Sequence, residues 1–267
     1  MLLVERGLIE SRARAQAIIL AGKVFWNDRR LDKAGHKIPV DADLEVRGRD
    51  HPYVSRGGVK LAGALDAFAV DPTGLVVADF GASTGGFTDC LLQRGAVRIY
   101  AIDVGYGQLA HALRVDDRVV VMERTNARHL EELPESIDLV VIDASFISIG
   151  KLLPAARNVL GERGEVIGMV KPQFEVGRTK LSRGVVRDPK ARAKAIDDVA
   201  LGAEKLGFRL IDRCDSSLAG PEGNVEAFLR LRWRAAEPDL PADSGELARE
   251  PDDKERPESD DQSAEDG

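Results

Sequence analysis

Two lysines and two carboxylates in this 267-residue chain have the residue types for moving a proton while a small group is transferred: Lys60, Asp143, Lys171 and Glu226. Asp143 follows the apolar run Leu139-Val140-Val141-Ile142, Lys171 follows Val166 to Val170, and Glu226 opens a run that ends at Trp233. Lys60 precedes the helical Leu61 to Phe68, where a lysine is ordinarily a solvated charge on a helix face. A fifth feature gives these four a context. The stretch Asp79-Phe80-Gly81-Ala82-Ser83-Thr84-Gly85-Gly86-Phe87 has an apolar run before it and a helix-like segment after it. Apolar strand, glycine-rich turn and helix form the first half of a nucleotide-binding βα unit, in which the backbone approaches a ligand and the helix offers unpaired N–H groups. Its spacing departs from G-x-G-x-x-G, and the absence of G-K-[ST] excludes a P-loop. Val97 to Ile102 then ends in Asp103, 22 residues after Gly81. An acid at about that distance holds ribose hydroxyls. The residues point to a cofactor carrying an adenosine and to group transfer rather than redox work.

Positioning these groups takes an alternation of strands and helices. Apolar runs at 75–79, 97–102, 119–122, 137–142 and 165–170 read as strands, with helices expected at 86–94, 105–113 and 152–160. That alternation implies a parallel sheet with helices on both faces, a Rossmann-like α/β fold, whose ligands bind at the C-terminal strand ends. Asp103, Asp143 and Lys171 all fall at such ends. Val176 to Arg187 reads as a basic loop over the site, and Asp188-Pro189 caps a helix running to Leu206. Phe208 to Arg213 and Val225 to Trp233 close the sheet as an antiparallel edge pair.

Composition narrows the class. Cys90 and Cys214 stand alone without metal-like spacing, His36, His51, His111 and His129 form no H-x-x-x-H pattern, and no apolar run approaches membrane length. No signal peptide opens the chain, so the reading is a cytoplasmic protein with neither a membrane nor a metal partner. The formal charge of −7 conceals an asymmetry: residues 237–267 hold 13 acidic and 3 basic side chains, whereas residues 1–60 hold 12 basic and 8 acidic. The tail, acidic and Pro/Ser-rich, reads as disordered. The basic front suits a polyanion, although a solvated surface gives the same count.

Residues 1–48 read as a small α+β module, followed by a linker at 49–54 and a larger domain over 55–236. Ser11 caps a helix that Gly22 ends, Val24-Phe25-Trp26 and Leu44-Glu45-Val46 are strands, and Asn27-Asp28 is a turn. Arg12, Arg14, Lys23, Arg29 and Arg30 cluster there, with Arg6 before them and Arg56 after. Arginines on such a unit grip phosphates of folded RNA. The pattern from Ser11 to Asn27, with Arg12, Ala15, Ile19, Gly22 and Val24 between, resembles the S4 RNA-binding domain. Such domains normally start a few residues earlier, so the first helix is expected to be short and one RNA-contacting arginine missing.

Methyl transfer from S-adenosylmethionine to a ribose 2′-hydroxyl would use all four groups. The hydroxyl holds its proton far above neutral pH, so a base must take it as the oxygen attacks. A lysine becomes a base where burial and a second cation disfavour its charged form, and carboxylates orient it. The residues alone favour Lys171 as that base, with Lys60 assisting. The runs Tyr53 to Leu61, Asp79 to Phe87, Asp143-Ala144-Ser145-Phe146-Ile147-Ser148, Val170-Lys171-Pro172-Gln173-Phe174-Glu175 and Gly220 to Glu226 together resemble the TlyA family, over about residues 2–234. These are S4-domain ribosomal RNA methyltransferases with an FtsJ-like catalytic domain. The resemblance implies 2′-O-methylation of a cytidine in ribosomal RNA or ribosomal subunits by a tetrad of Lys60, Asp143, Lys171 and Glu226. It implies S-adenosylmethionine held by Asp79, Gly81, Ala82, Ser83, Thr84, Gly85, Gly86, Phe87, Asp103 and Asn126. Rival readings are a non-catalytic ribosome-assembly factor that binds RNA, and a haemolysin, a label this family sometimes carries.

Overall fold

A computed structural model describes residues 2–9, 11–47, 51–176, 181, 184–220 and 222–233. The acidic segment 237–267 and most of the basic stretch 177–183 lie outside the described residues.

A seven-stranded sheet carries the larger part of the chain. Its strands are β4 (Val76–Phe80), β5 (Arg98–Ile102), β6 (Val119–Met122), β7 (Ile137–Ile142), β8 (Leu160–Val170), β9 (Phe208–Asp215) and β10 (Ala227–Trp233), in spatial order β6-β5-β4-β7-β8-β10-β9. The first five run parallel, and the apolar residues that dominate their central parts suit strands covered on both faces. β10 runs antiparallel to both β8 and β9. The expected antiparallel pair is therefore present, but β10 is an interior strand: it inserts between β8 and β9, which leaves β9 at the edge. Two apolar layers flank the sheet. One packs Phe80, Tyr100, Ile142 and Phe208 under α6 (Leu153–Val159) and α8 (Pro189–Lys205), and the other packs Leu61, Leu65, Leu91 and Phe228 under α3 (Arg56–Ala67) and α4 (Gly86–Gln93).

The start of α3 departs from the sequence expectation. Arg56-Gly57-Gly58-Val59-Lys60 carries two helix-weakening glycines, yet the helix already begins at Arg56, with Ser55 as N-cap accepting from the Gly57 amide. The glycines serve packing. A Cβ on Gly58 would lie 2.4 Å from the Tyr53 ring, and one on Gly86 would lie 2.2 Å from Ser55 Oγ and 3.2 Å from Gly57 Cα. Helices α3 and α4 thus meet through near-bare backbone at their N-termini. That contact holds Lys60, one turn into α3, beside the glycine-rich turn. The expected helix over 105–113 shrinks to α5 (His111–Arg114), because Asp103 to Ala110 is committed to a loop instead.

The N-terminal residues form α1 (Leu2–Glu5), α2 (Arg12–Leu20) and a three-stranded antiparallel sheet of β1 (Val24–Trp26), β2 (Arg29–Leu31) and β3 (Leu44–Val46) in the order β2-β1-β3. Leu3, Ile9, Ile19, Val24, Leu31 and Leu44 make a separate small core. Strand β2 was not legible in the charged Arg29-Arg30. The left-handed pair Asn27 and Asp28 (φ 47° and 62°) makes a tight hairpin turn and pairs Arg29 with Trp26.

Candidate active site

The C-terminal ends of β4, β7 and β8, the first turn of α3 and the approach to β10 converge on one cavity of about 520 Å³. Lys60, Asp143, Lys171 and Glu226 all line it, together with Gly81, Ala82, Ser83, Thr84, Gly86 and Phe87 of the turn. The four chemical groups come as two pairs. Lys60 Nζ donates to Glu226 Oε2 at 2.5 Å, with Lys60 8% and Glu226 1% exposed. Lys171 Nζ stands 2.5 Å from Asp143 Oδ1 in an ion pair and donates to Ser145 Oγ at 3.1 Å. Charges this buried persist only where a partner offsets the lost hydration, and each lysine has its carboxylate. Glu226 is fixed from behind: Arg192 Nε donates to the Val225 carbonyl, and Gly220 and Asn224 close a turn over the carboxylate. Asn224, only 2% exposed, accepts from the Val186 amide and donates to the Gly184 carbonyl, which ties the segment over the cavity to the turn that carries Glu226.

The remaining residues singled out from sequence spread around this centre. Asp79 is fully buried below the turn: its Oδ2 accepts from Thr88 Oγ1 at 2.6 Å and its Oδ1 has no partner. Burial raises the Asp79 carboxyl to about 7; the Thr88 hydroxyl opposes the shift and the nearby Asp143 adds to it. Asp103 does not line the cavity. It sits behind the turn, accepting from the Ser83 amide at 2.9 Å and the Gly105 amide at 2.6 Å. Asn126 is also outside the cavity and caps a 3₁₀ turn through the Arg128 amide. Among the proposed RNA contacts, Arg12, Arg14, Arg29 and Arg30 are exposed and Lys23 half-buried. Arg6 is spent internally on the carbonyls of Val40 and Ala42. Arg56 lines the cavity and reaches the Ala219 carbonyl.

Sequence reasoning missed Phe146. It is 90% exposed, has a left-handed backbone (φ 67°), lines the cavity, and its ring centroid lies 5.4 Å from that of Phe174. An aromatic three residues past a strand-end aspartate was the available signal; its exposure was not.

The turn fits a nucleoside cofactor. Gly81 (φ 91°) lies so close to β7 that a Cβ would fall 2.5 Å from the Asp143 carbonyl oxygen, so that backbone rather than side chains faces the cavity. Of the acids around the turn, Asp143 lines the cavity, Asp103 accepts from the turn's own Ser83 amide, and Asp79 lies fully buried beneath it. Residues 53–233 match the FtsJ-like methyltransferase family. The chain belongs to that family. Among relatives of these FtsJ-like methyltransferases, the Mycobacterium tuberculosis 16S/23S rRNA (cytidine-2′-O)-methyltransferase TlyA is 47% identical over 86% of this chain and 87% of its own. The candidate rRNA methyltransferase YqxC of Bacillus subtilis is 46% identical over 87% of this chain and 84% of its own. A solved structure of a candidate hemolysin from Streptococcus thermophilus superposes with a TM-score of 0.72 at 40% identity, covering 87% of this chain and 86% of that one. As an FtsJ-like methyltransferase the chain takes S-adenosylmethionine as its cofactor.

Proposed function

We propose that this methyltransferase transfers a methyl group to the 2′-hydroxyl of a cytidine in ribosomal RNA. The observation that carries the proposal is the pair of buried lysine–carboxylate contacts lining the same cavity as the glycine-rich turn. The similarity to relatives whose name states this reaction supports it.

S-adenosylmethionine, when bound, supplies an electrophilic methyl group. Gly81 to Phe87 would hold it, with Asp79, Asp103 and Asn126 as further holding groups. The protein's own task is to remove the hydroxyl proton and aim the oxygen. Lys171 Nζ takes that proton as the neutral amine, having first passed its own proton to solvent, and the ammonium that results pairs with Asp143 and donates to Ser145 at the cavity wall. Lys60 directs its ammonium to the ribose oxygen, and Glu226 sets its direction while balancing its charge. Phe146 provides an exposed aromatic face at the cavity mouth on which the base of the same nucleotide stacks. Arg12, Arg14, Lys23, Arg29 and Arg30 of the S4-like module, with Arg56 at the mouth, hold phosphates of the folded RNA.

The test is transfer of tritium from labelled S-adenosylmethionine to ribosomal subunits and ribosomal RNA lacking the modification. Label at one cytidine that resists alkaline cleavage is expected, and Lys171→Ala should abolish it while cofactor binding persists. Turnover retained in that variant rules out Lys171 as the base. Label confined to a base atom rules out ribose chemistry. The haemolysin reading gains nothing from the structure: among the described residues no helix is long and apolar enough to cross a membrane.

A further inference from the structure

Gln173 lines the cavity two residues beyond Lys171, and its side-chain carbonyl oxygen is buried with no hydrogen-bond partner. A fold retains an orphaned buried acceptor where something outside the chain completes it. The donors nearest in function are already committed: Lys171 to Asp143 and Ser145, Lys60 to Glu226. The missing donor lies outside the described chain: water in the free enzyme, and a ligand in the complex.

Its place in the sheet decides which ligand. The glycine-rich turn follows β4, whereas Gln173 follows β8, and β7 with Asp143 lies between them. Strands repeat at about 4.8 Å, so Gln173 stands roughly 10 Å from the turn, on the side of Lys171 and of the hydroxyl it deprotonates. Beside it, Phe174 backs the exposed ring of Phe146. Phe146 and Gln173 line the same cavity, so a base stacked on that ring would have its edge within reach of Gln173. Cytosine presents an amine donor at N4 beside the acceptor N3; uracil presents an oxygen at the corresponding place.

We infer that Gln173 selects the target base, its buried Oε1 accepting from the N4 amine of cytosine and its Nε2 donating to N3. The inference rests on the cytidine reading above and deepens it. Uracil would set its O4 against the buried oxygen, two acceptors with no proton between them, and could be accepted only if the amide turned over.

The experiment compares unmethylated ribosomal subunits carrying cytidine or uridine at the mapped position. It uses wild-type, Gln173→Met and Gln173→Glu proteins, with affinity for S-adenosylhomocysteine measured by calorimetry. Wild type is expected to prefer cytidine. Gln173→Met should lose about ten- to a hundredfold in kcat/KM on cytidine and bring the two bases within about threefold of each other, at unchanged S-adenosylhomocysteine affinity. Gln173→Glu replaces the Nε2 donor by a second acceptor, which opposes cytosine N3 and can accept from uracil N3–H, so it should lose kcat/KM on cytidine and narrow the preference for cytidine. A Gln173→Met protein that discriminates as wild type does overturns the inference, as does one that loses S-adenosylhomocysteine. If Gln173→Met fails to fold, Gln173→Glu decides: an undiminished preference for cytidine overturns the inference. Wild-type turnover indifferent to the base sinks this inference alone, whereas no ribose methylation of either substrate sinks the proposed function beneath it.

Discussion

Glu226 and Asp79 show two ways in which a buried acid is held. Glu226, 1% exposed, has an ammonium 2.5 Å away, and truncating it strands Lys60 in the interior. Glu226→Ala should cost about 3–5 kcal/mol of stability, whereas replacing both partners by Met and Leu should cost much less; urea denaturation of the three proteins checks this. Asp79 has a hydroxyl but no cation, and its carboxyl is raised to about 7, first by burial. The folded protein therefore keeps this proton at pH values where the unfolded chain, near 4, has lost it. The contribution is fully present below about pH 4, declines as pH rises toward 7 and is flat beyond. Asp79→Asn should remove that decline, which urea titrations at pH 4.5 and 7.5 would show. At this scale the sequence was informative about chemistry: strand-end position and residue type were enough to single out Asp143 and Lys171. It was silent about Phe146 and Gln173, because exposure of a ring and isolation of a carbonyl are properties of the assembled cavity.

Between elements, the contact that matters is the crossing of α3 and α4. Their N-termini approach until a single added methyl at Gly86 would lie 2.2 Å from Ser55 Oγ and 3.0 Å from the Gly58 nitrogen. Backbone cannot give way as a long side chain can, so Gly86→Ala should displace α3 and carry Lys60 out of line. We expect a loss of about 1–3 kcal/mol in stability and a proportionally larger loss of methyl transfer, measured by thermal unfolding and label incorporation. The same crossing explains an error of sequence reading. Glycine in a helix normally counts against it, and Gly57 and Gly58 concealed the first turn of α3, whereas the apolar β6 and the nearly apolar β7 were legible to the residue. The interior position of β10 was illegible for another reason. Pairing partners of a terminal strand depend on which edge remains open, and local sequence holds no record of that.

Over the whole molecule, charge is divided: net positive through the first 60 residues and strongly negative from Glu237 onward. If the basic front holds phosphates, Arg29→Glu with Arg30→Glu should weaken ribosomal RNA binding several-fold and flatten its dependence on salt, leaving S-adenosylhomocysteine affinity untouched. Filter binding across a salt series measures this. The strand order has one more outcome, in the timing of synthesis. Glu226 precedes the final strand, and β10 must enter between β8 and β9, both already made. A ribosome translating this chain thus carries an unfinished catalyst: until β10 emerges, Lys60 lacks the Glu226 counter-charge and β9 lacks its neighbour in the sheet. The enzyme becomes competent only once β10 has emerged and paired, and a chain ending before Glu226 should be inert however well its cofactor turn has formed.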